Sequence, residues 1–157
     1  SLQKTIKRAE FEFDRFEYSK ARVIIEDFFW NDFCDNYLEL IKIRSYGLSA
    51  NKLENIELSE EEKTLIITKQ QSAVLTLYHC LYRIIHLFAP FICHVAEELY
   101  QQIFQKTDSV HRRGGWPKYE DILINEKNYN ISESIKAIIG EARKYKSDNN
   151  LSMNVAR

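Results

Sequence analysis

The sequence of 157 residues predicts an all-α fold, an antiparallel bundle of four or five helices. Three observations lead to this prediction. The chain contains only four Gly and two Pro, whereas 45% of its residues are hydrophobic and 29% are charged, which favours long helices. Apolar residues recur at three- and four-residue spacing over several segments. No stretch of any length alternates apolar and polar residues as a strand would.

The first predicted helix spans residues 2–16 and the second spans residues 19–46. An apolar stripe at helical spacing supports each of them. The first stripe contains Leu2, Ile6, Ala9 and Phe13. The second contains Val23, Ile24, Phe28, Phe29, Phe33, Tyr37, Leu40 and Ile41. Gly47 suits the left-handed residue that ends a helix, so the second helix should stop there.

A third helix should begin after Ser59, because Ser59 and Glu62 have the spacing of a capping box. Pro90 lacks a backbone donor and clashes with the preceding turn, so this helix should end near Phe88. Its apolar stripe contains Val74, Leu77, Leu81, Ile84, Ile85 and Phe88. The stripe resumes in a fourth predicted helix, at Ile92, Val95, Leu99 and Ile103.

Residues 107–130, which include Gly114-Gly115 and Trp116-Pro117, are predicted to form a loop. Ser132 is the expected N-cap of a fifth helix. Its apolar residues are Ile135, Ile138, Ile139 and Ala142. Asn149 and Asn150 should end this helix.

Cysteine and histidine spacing predicts no metal site. Cys34, Cys80 and Cys93 lie in helical patterns among apolar neighbours and form no C-x-x-C pair, which favours reduced, buried cysteines. His79 and His86 could share a helix face, but no second ligand pair has the spacing of a structural zinc site. No apolar run approaches the roughly 20 residues that span a bilayer, so no membrane segment is predicted.

Recognisable catalytic motifs are absent. The sequence has neither a Gly-rich phosphate loop nor a G-x-S-x-G elbow. Asp35 with Glu39, and Glu97 with Glu98, could pair for acid–base chemistry, but we expect them to lie on solvated faces or to pair with Lys and Arg. The residues alone therefore predict a non-catalytic helical bundle that serves in binding.

The net charge of −1 does not by itself indicate nucleic-acid binding. The basic excess lies in residues 111–157, where nine Lys and Arg face six Asp and Glu, a net charge of +3. Two clusters carry it, at His111-Arg112-Arg113 and at Arg143–Lys146. Such clusters fit either a solvated face or a surface that contacts phosphates, and charge alone leaves both open.

Four segments, in the same order, resemble valyl-tRNA synthetases. WNDFCDNYLELIKIR, residues 30–44, resembles their W-x-x-F-C-D-x-Y-x-E-x-x-K segment. IIHLFAPFICHVAEELYQQIF, residues 84–104, is similar to their L-L-H-P-x-x-P-F-x-x-E-E-x-W region, although Pro90 is the only proline and Tyr100 replaces Trp. SVHRRGGWPK and ARKYKSDNNLSMN, residues 109–118 and 142–154, resemble later segments. The second and third segments also occur in isoleucyl and leucyl relatives, whereas Phe33-Cys34-Asp35 with Tyr37 and Glu39 favours the valyl family.

The resemblance implies that residues 1–157 are a single anticodon-binding domain from a longer class I aminoacyl-tRNA synthetase, with residues 142–157 opening a C-terminal region. Intact members join valine to its tRNA with ATP. Segments resembling H-I-G-H and K-M-S-K-S are missing here, so this part should neither catalyse nor hold a cofactor. The implied partners are the valine tRNA and the catalytic and editing domains of the same polypeptide, in the cytoplasm and without a membrane.

The expected RNA contacts are basic residues, which hold phosphates while aromatic or Arg planes stack unpaired bases. They are Lys42, Arg44, Arg112, Arg113, Lys118, Arg143, Lys144 and Lys146. Trp116 could stack a base, but we expect it to tether the loop to the bundle. Two alternatives stay open: the same domain of an isoleucyl- or leucyl-tRNA synthetase, and a helical bundle that binds other proteins.

Overall fold

The computed structural model describes residues 1–49, 58–104, 108–111 and 115–151. These residues form helices and connecting turns without a strand, which confirms the predicted all-α bundle. The chain divides into two compact units, Ser1–Tyr119 and Glu120–Arg157.

The described residues of the first unit form five α-helical stretches. They are α1 (Leu2–Asp14), α2 (Tyr18–Asp27), α3 (Glu39–Tyr46), α4 (Glu60–Phe88) and α5 (Cys93–Phe104). A π-helical segment, Phe28–Leu38, joins α2 to α3. Phe28 (φ −59°, ψ −46°) and Leu38 (φ −59°, ψ −42°) keep helical backbone angles at the two junctions. One continuous helix therefore runs from Tyr18 to Tyr46, as predicted from the apolar stripe.

The π-helical segment departs from the regular α-helix that the spacing predicted. In a π-helix each hydrogen bond spans five residues, and such helices are rare and usually a single turn long. Within this segment the Asn36 side-chain amide also donates to the carbonyl of Asn31, at 2.5 Å. Residues 28–38 contain neither Gly nor Pro, so no local signal distinguishes this segment from an α-helix.

The helices of the first unit run antiparallel. Along α4, Gln70 contacts the carbonyl of Ser45, while Ile84 packs against Phe28 and Phe33 near the other end of the continuous helix. Against α5, the ring of Tyr78 lies 4.8 Å from that of Phe104, and the ring of His86 lies 5.5 Å from that of Tyr100. At the α1–α2 corner, the centroids of Phe13 and Tyr18 are 4.9 Å apart.

Three clusters of buried side chains hold these helices together. One joins α4 to α5 through Ile85, Ala96, Tyr100 and Phe104. A second joins α1, α2 and α4 through Ile6, Ala9, Ile25 and Leu87. A third places Phe28 and Phe33 against Ile84. The predicted apolar faces of the first three helices thus supply part of the core. Three residues of those faces are exposed instead, namely Val23, Leu40 and Val74.

Helix ends in the first unit follow their predicted chemistry. Ser59 and Glu62 form the capping box: the Ser59 N–H donates to the Glu62 carboxylate at 2.9 Å, and the Glu62 N–H donates to Ser59 Oγ at 3.2 Å. α4 ends at Phe88, two residues before Pro90. Gly47 follows α3 with φ +57°, a conformation that favours glycine.

The buried face of α5 differs from the prediction. Ile92, Val95, Leu99 and Ile103 are exposed, whereas Ala96, Tyr100 and Phe104 are buried. The helix has apolar residues on more than one side, and periodicity alone cannot say which side meets α4. Tyr100 and Phe104 form the face of α5 that packs on α4, because their rings contact those of Tyr78, Tyr82 and His86.

The prediction that all three cysteines are buried is also wrong. Cys93 is exposed, and Cys34 and Cys80 are half-buried. Cys93 is the first residue of α5, where its Sγ lies 4.0 Å from the Pro90 carbonyl. The Trp30 side chain, beside Phe29, is 60% exposed.

In the second unit, a short 3₁₀ turn, Asp121–Leu123, precedes α6, Glu126–Asp148. The predicted loop to residue 130 and the predicted cap at Ser132 are wrong. Asn125 caps the helix, because its side chain accepts the Asn128 N–H at 3.0 Å. Ser132 already lies inside α6, where its hydroxyl donates to the Tyr129 carbonyl at 2.7 Å. The predicted end at Asn149-Asn150 is confirmed.

Candidate nucleic-acid interface

Lys42 and Arg44 lie in the last turns of α3, with exposed side chains. Lys42 Nζ is 3.2 Å from Glu39 Oε1, in an exposed pair one turn apart. Such pairs contribute little stability, so the ammonium group can exchange this partner for a phosphate. Burial raises the pKa of Tyr37, while the nearby positive charge of Arg44 acts in the opposite direction.

The end of α3 is fastened to α4. Gln70 Nε2 donates to the carbonyl of Ser45 at 3.0 Å, and the Gln70 side chain covers Gly47. Tyr46, which lies between Ser45 and Gly47 in the sequence, is 54% exposed. Lys69, the neighbour of Gln70, is also exposed. The α3 end therefore presents basic side chains and one aromatic ring on a rigid junction of two helices.

Lys118 is exposed in the segment that follows Pro117. Its neighbour Trp116 is half-buried, with its ring 4.8 Å from that of Phe13, and both Trp116 and Tyr119 pack on the cluster around Leu87. The expected tethering role of Trp116 is confirmed. Lys7 Nζ lies 4.7 Å from the centre of the Tyr119 ring, which adds another basic residue beside Lys118.

The structure separates Lys118 from Lys42 and Arg44. The α3 end contacts Gln70, whereas the Trp116 segment contacts the cluster around Leu87. Seventeen residues of α4 separate Gln70 from Leu87, which corresponds to about 25 Å at 1.5 Å per residue. Lys118 could therefore contact the same RNA as Lys42 and Arg44 only at a well-separated point.

The second unit carries the other predicted basic residues. Arg143, Lys144 and Lys146 lie in the last two turns of α6, where positive charge complements the helix dipole. Arg143 and Lys146 are half-buried and interact with other groups of the protein, whereas Lys144 is exposed. Tyr145 lies among them and is 65% exposed.

Arg112 and Arg113 lie outside the described residues. The segment before them is held by Glu97. The Glu97 carboxylate accepts a hydrogen bond from Ser109 Oγ at 2.7 Å and from the Val110 N–H at 2.9 Å. The hydrogen bond from Ser109 is the main reason why the pKa of Glu97 is lowered. Glu97 therefore fastens residues 109–110 to α5, which gives this carboxylate a structural role.

A cavity of about 450 Å³ lies beside Trp116 in the first unit. Its wall includes Glu10, Asp14 and His86. The two carboxylates make it a poor place for a phosphate. Over the described ranges of the chain, no group of three His, Cys, Asp or Glu side chains could hold a metal ion.

Sequence reasoning missed two residues at these surfaces, Tyr46 and Tyr145. Both are exposed rings, on which RNA bases can stack. Tyr145 lies between Lys144 and Lys146, and Tyr46 follows Arg44 by two residues, so a basic residue near each ring was visible in the sequence. It was not used because tyrosine is equally common at the edge of a helical core.

Comparison with known proteins connects these surfaces to a family. Residues 1–156 match the family model described as the anticodon-binding domain of tRNA ligase. The valine–tRNA ligase of Rickettsia akari (strain Hartford) is 40% identical over 156 residues, which cover 97% of this chain and 17% of that protein. The valine–tRNA ligase of Wolbachia pipientis wMel is 38% identical over 152 residues, 97% of this chain and 15% of that protein.

A third relative, the valine–tRNA ligase of Ehrlichia canis (strain Jake), is 37% identical over 152 residues, again 97% of this chain and 17% of that protein. The chain thus spans only about one sixth of the length of these relatives. No solved structure matches the chain. None of the helices in the described residues is long and apolar enough to cross a membrane. The match over nearly the whole chain, together with the all-α fold, shows that the chain belongs to the family of anticodon-binding domains of tRNA ligases.

Proposed function

We propose that this chain is the part of a valine–tRNA ligase that binds the anticodon stem-loop of the valine tRNA. One observation carries the proposal: the anticodon-binding family model covers residues 1–156, and the curated relatives named above are valine–tRNA ligases at 37–40% identity. Bound here, the tRNA would be held for aminoacylation elsewhere in a longer polypeptide.

In this proposal the α3 end is one contact with the RNA. Lys42 and Arg44 would hold phosphates, and the ring of Tyr46 would stack an unpaired base. The hydrogen bond from Gln70 to Ser45 supports this, because it fixes the backbone that carries these side chains. Preorganised groups lose less conformational entropy on binding.

Further contacts would come from Lys118 in the first unit and from the basic end of α6 in the second. Lys144 and Tyr145 are the most exposed candidates on α6. Arg143, Lys146, Arg112 and Arg113 remain predicted contacts. Residues 1–157 remain proposed as one domain, with residues 142–157 opening a C-terminal region.

The remaining steps belong to the intact enzyme. It would join valine to tRNA with ATP on a catalytic domain and remove errors on an editing domain of the same polypeptide, in the cytoplasm. The described part of the chain supplies contacts to RNA, and no step of that chemistry is assigned to its residues.

Titration of the chain with two tRNAs tests the proposal. The valine tRNA should bind more tightly than a non-cognate tRNA, and log Kd should rise linearly with log salt concentration because phosphate contacts release counterions. Equal affinity for both tRNAs without a salt dependence would contradict it. Tighter binding of an isoleucine or leucine tRNA would instead assign the domain to one of those relatives.

Paired variants test the α3 end. Arg44→Ala should weaken binding of all tRNAs and reduce the slope of the salt dependence by about one. Lys20→Ala is the control, because it removes an exposed basic side chain whose Nζ lies 3.3 Å from Glu17 Oε1. It should leave the slope of the salt dependence unchanged. Tyr46→Ala should cost about 1–3 kcal/mol of binding free energy, whereas Tyr46→Phe keeps the stacking ring. Unchanged binding by Tyr46→Ala and Arg44→Ala would exclude this surface.

A further inference from the structure

A basic surface runs along the exposed side of α1. The buried side of this helix contains Ile6 and Ala9, which pack in the cluster around Leu87. At about 3.6 residues per turn, five side chains lie opposite them, within about 100° of the helix circumference. These five residues, called the α1 arc, are Lys4, Lys7, Arg8, Phe11 and Arg15. All but one of them are basic.

The acidic residues of α1 lie outside the α1 arc. Glu10 and Asp14 line the cavity beside Trp116, and one carboxylate oxygen of Glu12 is buried. The helix contains three bases and three acids, so it is neutral as a whole. Its positive charge is nevertheless concentrated on one side, an excess that the net charge of −1 for the whole chain conceals.

The bases of the α1 arc also differ from other exposed bases in their partners. Within the described residues, Lys7, Arg8 and Arg15 are exposed and form no ion pair with a carboxylate. Three bases on α2 and α4, in contrast, each have a carboxylate one turn away. These pairs are Lys20 with Glu17, Arg22 with Glu26, and Lys63 with Glu60. An unpaired base gains more from a phosphate, because no existing pair has to be broken.

Two aromatic rings accompany these bases. The Arg15 guanidinium lies 5.1 Å from the ring centre of Phe11, which is 57% exposed. Lys7 Nζ lies 4.7 Å from the ring centre of Tyr119, the neighbour of the exposed Lys118. The structure therefore brings Lys118 next to the α1 arc. A stripe of basic residues along one helix is a common feature of nucleic-acid-binding surfaces.

We propose that the α1 arc and Lys118 bind the phosphate backbone of the anticodon stem. This rests on the proposed function, because it takes the RNA to be a tRNA. Paired RNA is bound mainly through its shape and its backbone, and the exposed side of a helix offers long basic side chains without a pocket for a base. Such contacts position the RNA without reading its sequence.

The α1 arc is distinct from the surface at the α3 end. Ile6 packs in the cluster around Leu87, whereas the α3 end contacts Gln70. Leu87 and Gln70 are about 25 Å apart along α4. This separation leaves room for the loop of one RNA at the α3 end and its stem at the α1 arc.

Two variants matched in charge test the proposal by fluorescence anisotropy with the valine anticodon stem-loop. The test variant combines Lys7→Gln, Arg8→Gln and Arg15→Gln. The control combines Lys20→Gln, Arg22→Gln and Lys63→Gln, so each variant loses three positive charges. The test variant should bind about tenfold more weakly, with the slope of the salt dependence reduced by about two to three. The control should keep the slope of the parent.

A second hairpin separates the stem from the loop. It keeps the stem and carries an unrelated loop, and the test variant should lose the same affinity for it. Equal weakening by both variants would overturn the proposal, as would a loss confined to the hairpin with the native loop. If the parent binds both hairpins equally but the test variant still loses affinity, the valine-specific function fails and the α1 arc stands.

Lysine acetylation of the parent chain, read by mass spectrometry, gives a test that depends on no variant. With saturating stem-loop, Lys7 and Lys118 should be acetylated at least about threefold more slowly than without RNA, because phosphates cover their ammonium groups. Lys63, on the N-terminal turn of α4, should react at an unchanged rate. Acetylation of Lys7 at the same rate with and without RNA would overturn the proposal.

Discussion

The Glu97 carboxylate holds the segment that follows α5 against that helix. It accepts hydrogen bonds from Ser109 Oγ and the Val110 N–H, and it brings the segment after α5 back onto that helix. Val110 is thereby buried in the cluster that joins α4 and α5. The neighbouring Glu98 accepts a hydrogen bond from the Gln102 side chain in an exposed contact. Two adjacent acids that look alike in the sequence thus have different roles.

The stability that Glu97 provides should depend on pH. Its hydrogen bonds lower the pKa in the folded state, chiefly through Ser109. A lowered folded pKa gives stability that is fully present above the unfolded pKa, about 4.3, and is lost as the pH falls through the folded pKa. Urea unfolding should therefore show that Glu97→Gln is less stable than the parent at pH 7, with the difference shrinking below about pH 4.

Glu98→Gln is the matched control for this prediction and should follow the parent at every pH. A constant difference between the parent and Glu97→Gln from pH 7 to pH 3 would show that the charge of Glu97 contributes nothing to folding.

The three cysteines should differ in reactivity. Burial raises the pKa of Cys34 and of Cys80, with Asp35 adding to the effect at Cys34, whereas Cys93 is exposed. A raised pKa lowers the thiolate fraction, which is the reactive form. Mass spectrometry after brief alkylation at pH 8 should find Cys93 modified first and Cys80 last. Labelling of Cys80 as fast as Cys93 would contradict the packing of α4.

At the scale of elements, the junction between α3 and α4 depends on Gly47. A Cβ atom at this position would approach the Gln70 side chain to 2.4 Å, and φ is +57°. Gly47→Ala should therefore destabilise the fold by about 1–2 kcal/mol. The added methyl group should displace the Gln70 side chain and weaken its hydrogen bond to the Ser45 carbonyl. We therefore also expect weaker tRNA binding.

Gly140→Ala provides the matched control for urea unfolding. Gly140 lies inside α6, and a Cβ there would meet nothing within 4 Å. Because alanine is a better helix former, this change should stabilise α6 by up to about 1 kcal/mol. Equal effects of the two substitutions would show that neither the backbone angle nor the Gln70 contact matters at Gly47.

Elements with strong local signals could be predicted from the sequence. The capping box at Ser59, the stop at Pro90 and the turn at Gly47 each act through neighbouring residues, and all three are confirmed. The buried face of α5 and the start of α6 could not be predicted in this way. α5 has apolar residues on several sides, and Asn125 competes with Ser132 as a cap.

At the scale of the whole molecule, the basic residues that the sequence groups together lie at separate places. Gln70, which contacts the α3 end, and Leu87, near which the segment of Lys118 packs, are about 25 Å apart along α4. The α6 residues belong to the second unit. Their charge was visible in the sequence, but this separation arises from helix packing. Family membership, in contrast, rests on the match of residues 1–156 to the family model, and short segments such as Phe33-Cys34-Asp35 already indicated it in the sequence.

The most direct test of the account is the affinity of the chain for an anticodon stem-loop. Fluorescence anisotropy should compare the valine stem-loop with the same stem-loop carrying another anticodon. The account predicts at least about fivefold tighter binding of the valine anticodon, since one unpaired polar group at a buried contact costs about 1 kcal/mol or more. Equal affinity for the two stem-loops would contradict it.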